Sequence, residues 1–344
     1  MRKKQKIFFF AAAGACLLLA LTLSILTIAE KNSPADAREV MEPFAAGGKN
    51  YLLLGVDAVS SSSDVILIAH VDEEGKGMRL LQLPRDTYTA DHGKLNSLYA
   101  AAAVQAKKEG KSASDASEAG ARALSDFLSE AFGLSLDGYA VITLDDFRRI
   151  VDNVGGVEVT LPADLDYDDP AQDLHIHLKA GTHLLSGKDA EGLVRCRSAY
   201  LTADYGRMDA QKIFMTAFLK KLKTDLSFGQ LFSLVTTTYR HVKTDITLKE
   251  ALSIGKKMLS ASLEDFSFAS VKGNSLKINA ALYEVIPEKT LEDAAFWLGS
   301  EEPSLTPAFC GERTDVSQLF FSEPLYAFAP VTADSIDREG ITIR

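Results

Sequence analysis

Residues 51–86, YLLLGVDAVSSSSDVILIAHVDEEGKGMRLLQLPRD, hold three apolar runs separated by polar breaks. The first, residues 51–55, is a compact apolar run closed by Gly-Val-Asp. Apolar side chains at consecutive rather than alternate positions describe a strand covered on both faces. Such a strand delivers Asp57 to a loop at its carboxyl end. Residues 65–70 form a second strand opened by Asp64, and residues 79–83 a third that stops at Pro84, whose missing N–H makes Arg85 and Asp86 loop residues. Asp57, Arg85 and Asp86 therefore sit at strand ends, with Asp64 opening the strand between them. Sites in open α/β sheets gather at such carboxyl ends.

Toward the C-terminus, helical and strand patterns alternate. Residues 97–108 and 113–132 are alanine-rich and helical, with a polar break between them. A strand is expected over 139–144, a helix over 144–154 stopped by Gly155 and Gly156, and a strand over 157–161. Residues 175–178, 181–184 and 193–197 read as short strands around a turn and a short helix at 187–191. Residues 208–223 form an amphipathic helix with Ile213, Phe214, Ala217, Phe218 and Leu222 on its apolar side. Beyond 225 the pattern is mainly helical, at 230–241, 248–260 and 291–298, with a strand-like 266–271. The alternation argues for a layered α/β domain. Its core spans 50–224, residues 225–300 complete it, and 301–344 read as a tail.

Toward the N-terminus, residues 7–29 are uncharged and mostly apolar, 23 positions that as a helix cover a bilayer core. Arg2, Lys3, Lys4 and Lys6 precede them, so the positive-inside tendency places residues 1–6 in the cytoplasm and the main domain outside the cell membrane. The run is long for a cleaved signal peptide and fits a retained single-pass anchor. Residues 30–49, with two prolines and a Gly-Gly pair, read as a linker.

The net charge is −10, and the basic residues before the apolar run make the remainder more acidic still. Such a domain is a poor partner for nucleic acid, and an anionic substrate would need a local arginine cluster or a metal ion. Three cysteines, Cys16, Cys196 and Cys310, give neither a disulfide framework nor a metal-binding pair, and buried thiols are the simpler reading of the latter two. His175 and His177 alternate along a strand with no third ligand nearby in sequence, as in an ordinary half-buried strand pair. Residues 181–188 resemble a P-loop, but their spacing is that of a turn leading into a helix.

Residues 194–211, VRCRSAYLTADYGRMDAQ, concentrate cations in this acidic chain. If 192–198 is a strand, Arg195 and Arg197 share one face, where an anion between them would relieve their repulsion. Arg207 and Gln211 share one face of a helix, with Asp204 as a cap candidate. Asp57 and Asp64 suit a hard cation completed by phosphate oxygens, and equally a turn aspartate and a strand-start cap.

Taken in order, Leu53-Leu54-Gly55-Val56-Asp57, Ser63-Asp64-Val65-Ile66, Leu83-Pro84-Arg85-Asp86-Thr87-Tyr88, Lys94-Leu95-Asn96 with Tyr99-Ala100, DNVGGV at 152–157 and the arginine stretch resemble the LytR-CpsA-Psr family of Gram-positive envelope proteins. The resemblance covers about 50–223. It implies a three-layer α-β-α domain with a central mixed sheet. It also implies a phosphotransferase that moves a glycopolymer, such as teichoic acid or capsule, from an undecaprenyl-pyrophosphate carrier to peptidoglycan. By the same resemblance Asp57 and Asp64 hold Mg²⁺, and Arg85, Arg195, Arg197 and Arg207 clamp the pyrophosphate. Asp57 counts among the catalytic residues, while Asp86, Asn96, Asp204 and Gln211 bind substrate or brace the cluster. The alanine-rich helices either line a slot for the polyprenyl tail or simply pack the core. Relatives usually carry arginines between the two aspartates, where this chain has Ala58-Val59-Ser60-Ser61-Ser62-Ser63, and often a basic residue at Thr89. That depletion leaves open a non-catalytic or regulatory lipid-pyrophosphate-binding protein, or a hydrolase.

Overall fold

Leu52, Leu53 and Leu54, three consecutive residues, are wholly buried, so helices must cover both faces of their strand. The computed structural model describes residues 47–57, 62–73, 77–161, 163–170, 174–196, 204–261, 265–278, 281–300 and 330–331. The expected span at 7–29, the loop 58–61, Cys16, Arg197 and Cys310 lie outside the described residues. Among the described residues no helix is long and apolar enough to cross a membrane.

The chain runs through β1 (Gly48–Asp57), β2 (Ser62–Asp72), β3 (Met78–Leu83), the two-residue β4 (Tyr88–Thr89) and β5 (Gly93–Lys94), then helices α1 (Leu95–Lys108) and α2 (Ala113–Phe132). Next come β6 (Leu136–Thr143), α3 (Leu144–Asn153), β7 (Val157–Leu161), β8 (Leu165–Asp169), β9 (Leu174–Leu178) and β10 (Gly181–Leu185). They are followed by α4 (Gly187–Arg195), α5 (Asp204–Thr224), α6 (Phe228–Tyr239), β11 (Lys243–Thr244), α7 (Leu248–Ser260) and β12 (Phe266–Ser270). The hairpin β13 (Asn274–Ile278) and β14 (Ala281–Val285), α8 (Glu288–Trp297) and β15 (Pro330–Val331) are the last of the described elements.

Among the described residues seven strands form one mixed sheet in the order β11-β6-β1-β2-β3-β12-β15. β1 runs parallel to β6 and β3 parallel to β12, while β1-β2 and β2-β3 are antiparallel. On one face Leu53, Ala69 and Leu80 meet α3 to α7 through Ile150, Leu193, Phe214, Phe218, Leu234 and Ile254. On the other, Leu52, Ile68 and Leu81 meet α1, α2 and α8 through Leu95, Leu124, Leu128, Leu291 and Trp297. Each buried leucine contributes about 1.5–3 kcal/mol, which is why this run organises three layers.

The alanines of α1 and α2 serve the packing reading. Ala103, Ala106, Ala116, Ala121 and Ala131 are buried, and a Cβ on Gly120 would sit 2.8 Å from the Tyr99 carbonyl oxygen, so the two helices touch backbone to backbone. Phe214, Phe218 and Leu222 of α5 are buried as the periodicity requires, with Ile213 and Ala217 packed beside them.

Several elements differ from the sequence reading. Residues 193–195 are not a strand but the last turn of α4, so Arg195 sits on a helix rather than on a strand face. Ser186 and Asp189 form a reciprocal capping box that starts this helix, and Ala190 and Leu193, three apart, face the core. The hairpin β13-β14 stands in a region read as mainly helical, and β8, pairing with β9, had no expected strand. Pro330–Val331 adds an edge strand against β12.

Candidate functional site

The antiparallel order of β1, β2 and β3 brings the end of β1, the start of β2 and the end of β3 to one edge of the sheet. Asp57 closes β1 opposite Ser62. Gly55 pairs with Val65 and Val56 with Ser63, so Asp64 is the extra residue of a β-bulge. A bulge bends the strand and re-aims its side chain, a device common beside active sites. Ile66 pairs with Leu83, and two further positions along that register set Asp64 beside Arg85. Their side chains form an ion pair through Arg85 Nη1 and Asp64 Oδ1.

The loop carrying Arg85 and Asp86 is held by its own carbonyls. Thr87 N–H donates to Pro84 O at 3.1 Å, Asn96 N–H to Arg85 O at 3.1 Å, Glu284 N–H to Asp86 O at 2.9 Å and Leu95 N–H to Thr87 O at 2.8 Å. Two of these donors are the first N–H groups of α1, which have no partner inside the helix and so are available to the loop. Asn96 also donates from Nδ2 to Ser62 Oγ at 3.2 Å, tying α1 to the start of β2. Asp86 lies between cations, 3.8 Å from Arg85 Nε and 3.0 Å from Lys94 Nζ.

From the opposite layer α5 supplies Arg207 and Gln211, both buried. Arg207 Nη2 reaches the Asp64 carbonyl oxygen at 3.4 Å, so two guanidinium groups converge on the bulge residue, one on its carboxylate and one on its backbone. Gln211 does not touch that cluster. Its Nε2 donates to Val194 O at 2.9 Å and its Oε1 accepts from Gln82 Nε2 at 2.6 Å, while Gln82 accepts from Ser270 Oγ at 3.3 Å. This buried chain links β12, β3 and α5 to the residue before Arg195, so Gln211 braces the turn that carries an arginine.

Arg195 ends α4 and donates from Nη1 to Glu191 Oε1 at 2.7 Å, one helical turn back. Glu191 is buried and accepts on its other oxygen from Arg148 Nη1 at 2.8 Å. Arg148 also pairs with Asp145, and these two carboxylates, Asp145 foremost, raise the pKa of its guanidinium. The structure thus brings Asp64, Arg85, Asp86, Asn96 and Arg207 together, with Gln211 and Arg195 joined through Val194. Asp57 closes the adjacent strand. The Asp204 side chain, like Arg197, lies outside the described residues.

Sequence reasoning missed Glu191, Arg148, Gln82 and Glu284, and gave Lys94 no role beyond its place in a motif. The i, i+4 spacing of Glu191 and Arg195 was a usable signal, hidden because 193–197 looked like a strand. His175 and His177 are exposed rather than half-buried and face carboxylates across the β8-β9 register. Their Nδ1 atoms lie 2.5 Å and 2.6 Å from Asp168 and Asp166. Cys196 is buried, as the sequence reading expected.

Comparison with known proteins comes from sequence and from structure. The LytR_cpsA_psr family model matches residues 19–295. A polyisoprenyl-teichoic acid–peptidoglycan teichoic acid transferase, TagV of Bacillus subtilis, is 24% identical over 259 residues, 72% of this chain and 60% of that protein. TagU of Bacillus cereus, another polyisoprenyl-teichoic acid–peptidoglycan teichoic acid transferase, is 29% identical over 251 residues, 70% of this chain and 75% of that one. The cell wall biosynthesis protein LcpA of Corynebacterium glutamicum is 30% identical over 193 residues, covering 52% of this chain and 36% of its own. The match to TagV therefore spans less than two thirds of that protein's length. Among solved structures, Bacillus subtilis TagV superposes with a TM-score of 0.59 at 21% identity over 74% of this chain and 97% of its own. TagT bound to LIIa-WTA gives 0.56 at 22% over 75% and 91%. At these identities the superpositions establish the mixed α/β fold.

Proposed function

This chain belongs to the LytR_cpsA_psr family, and from that premise we propose that it transfers a glycopolymer of the teichoic acid or capsule type from a polyprenyl-pyrophosphate carrier to peptidoglycan. The observation that carries the reading is the convergence of Arg85 and Arg207 on the Asp64 bulge at the carboxyl edge of β1 and β3. In the reaction an acceptor hydroxyl attacks the phosphorus bearing the glycan, the P–O bond to the carrier's phosphate breaks, and polyprenyl phosphate leaves. Phosphoryl transfer of this kind asks a protein for positioning and charge stabilisation more than for a nucleophile. Arg85, held by a loop whose carbonyls are all bonded, and Arg207, held by burial, supply fixed donors to the developing charge. Arg195, with Arg197 of the same stretch, supplies further cations, and Asp86, Asn96, Asp204 and Gln211 hold the substrate or brace its contacts.

Asp57 and Asp64 are suited to Mg²⁺. Among the described residues no group of three or more His, Cys, Asp or Glu forms a metal cage, and Mg²⁺ is ordinarily held by one or two carboxylates with phosphate oxygens and water completing its shell. When bound, the ion neutralises charge on the pyrophosphate. Residues 7–29 are the single membrane span of this reading, with the N-terminus cytoplasmic and the domain outside, beside its lipid-linked donor.

A second reading, a protein that binds the lipid pyrophosphate without transferring its glycan, is favoured by one observation: Arg85 and Arg195 already face carboxylates. Incubation of the full-length protein with a polyprenyl-pyrophosphate glycan, peptidoglycan oligomers and Mg²⁺ separates the two. Transfer predicts glycan-phosphate on peptidoglycan together with polyprenyl phosphate. Tight lipid binding without product supports the second reading, and glycan phosphate released to water marks a hydrolase.

A further inference from the structure

Glu191 is buried in the middle of α4, and both of its carboxylate oxygens are spent on arginines: Oε1 on Arg195 at 2.7 Å and Oε2 on Arg148 at 2.8 Å. Its side chain is 7% exposed, whereas that of Arg195 is 21% exposed. An anion arriving from solvent therefore meets the guanidinium and not the carboxylate behind it. Burying a carboxylate costs desolvation that an apolar side chain of similar size would avoid, so the buried charge is explained by what it holds rather than by stability. The two charge-assisted bonds are short and directional. One comes from the same helix at i, i+4 and the other from α3, so they tie the arginine at the end of α4 to a neighbouring helix. Gly187, at the start of α4, lies so close to α3 that a Cβ there would sit 2.3 Å from the Arg148 carbonyl oxygen, and this contact sets the separation of the two helices.

We infer that Glu191 is a positioning residue, which fixes Arg195 for contact with the pyrophosphate; the inference rests on the site reading given above. Without the carboxylate, the two guanidinium groups would face each other with no negative charge between them, and their repulsion would shift Arg195 from its position. A Gln at 191 offers one acceptor and one donor, so it satisfies one arginine while its amide opposes the other.

The test is binding of inorganic pyrophosphate to the full-length protein in detergent, at low and raised salt, with thermal melting in parallel. Arg195→Ala is expected to weaken binding and to flatten its salt dependence. Glu191→Gln is expected to weaken binding by about tenfold, the scale of one misplaced charged hydrogen bond. Glu191→Met, which packs without charge, is expected to weaken it equally while melting at or above the wild-type temperature. Arg148→Met leaves the Glu191 to Arg195 bond in place and is expected to weaken binding less than either. If Arg195→Ala weakens binding while both Glu191 variants bind as tightly as wild type or more tightly, the positioning role is overturned and the site reading stands. If Arg195→Ala binds normally, the site reading itself fails.

Discussion

At the edge of the sheet where β1 begins, polar side chains are tied to one another, whereas at the edge where β1 ends they converge toward a surface. At the first, His70 Nδ1 lies 2.9 Å from Asn50 Oδ1, Asn50 donates from Nδ2 to Ser135 O at 3.2 Å, and Tyr51 donates to Glu250 at 3.1 Å. Burial first, then the Glu250 charge, pushes the Tyr51 hydroxyl up, and Lys49 closes the cluster on the same carboxylate. At the second, Arg207 rests on a backbone carbonyl, and the Arg85 and Asp64 side chains stay partly exposed. A network closed on itself spends its charges on folding. Cations held on carbonyls and half-exposed carboxylates keep their field for a ligand.

The sharpest way to break this contrast is at Arg207. Arg207→Ala is expected to slow glycopolymer transfer by about a hundredfold or more, the usual cost of removing one fixed donor to developing charge. Transfer assays on the folded variant check it, and a rate within a few-fold of wild type would erase the functional distinction between the edges.

At the other edge the expected effect is on stability and depends on pH. Burial, and secondarily the Arg79 charge, lowers the His70 pKa from 6.5 to about 4, while Asp72 and Asp137 oppose the shift. Between those values the unfolded chain binds more protons than the folded one, so acid favours unfolding. The contribution is complete above about pH 6.5 and is lost as pH falls toward 4, about 3–4 kcal/mol in all at 1.36 kcal/mol per unit. Urea unfolding across this range should show the fall, and His70→Gln should flatten it.

Gln211 sharpens the comparison, because it is a closed network serving the open edge. Gln211→Leu strands Gln82 and the Val194 carbonyl in the interior and is expected to cost about 1–3 kcal/mol in urea unfolding. Transfer should slow with it, since Val194 precedes Arg195. Stability loss with unchanged transfer would place Gln211 wholly on the folding side. The smallest effect belongs to the exposed β8-β9 ladder. The Asp166 hydrogen bond raises the His177 pKa, yet both groups are open to solvent. Pairs of that kind contribute little, so His177→Ala should leave the melting temperature unchanged.

Much of this was legible in the chain. The apolar run through Leu52, Leu53 and Leu54 announced a strand covered on both faces, and Pro84 marked where β3 ends. The period of Phe214, Phe218 and Leu222 matched the buried face of α5. The arginine stretch reads as a strand because Val194, Arg195, Cys196 and Arg197 alternate locally, while the signals for a helix lie outside them, in the Ser186 and Asp189 capping box and in the burial of Ala190. Alternation has period two in a strand, but over so few residues a stretch that closes a helix, as Val194 and Arg195 do, can carry it too.

Residue type and spacing alone established the layered α/β class, the aspartates and arginine at strand ends, and the membership of Arg207 and Gln211 on one helical face. Those properties follow from backbone periodicity and from the chemistry of single side chains, which are local. Only the tertiary structure decided that Asp64 is a bulge residue beside Arg85, that Gln211 braces Val194, and that Glu191 joins Arg148 to Arg195. Each of these depends on strand register or on helices brought together from distant parts of the chain, and that pairing is set by burial of the whole core rather than by any one stretch.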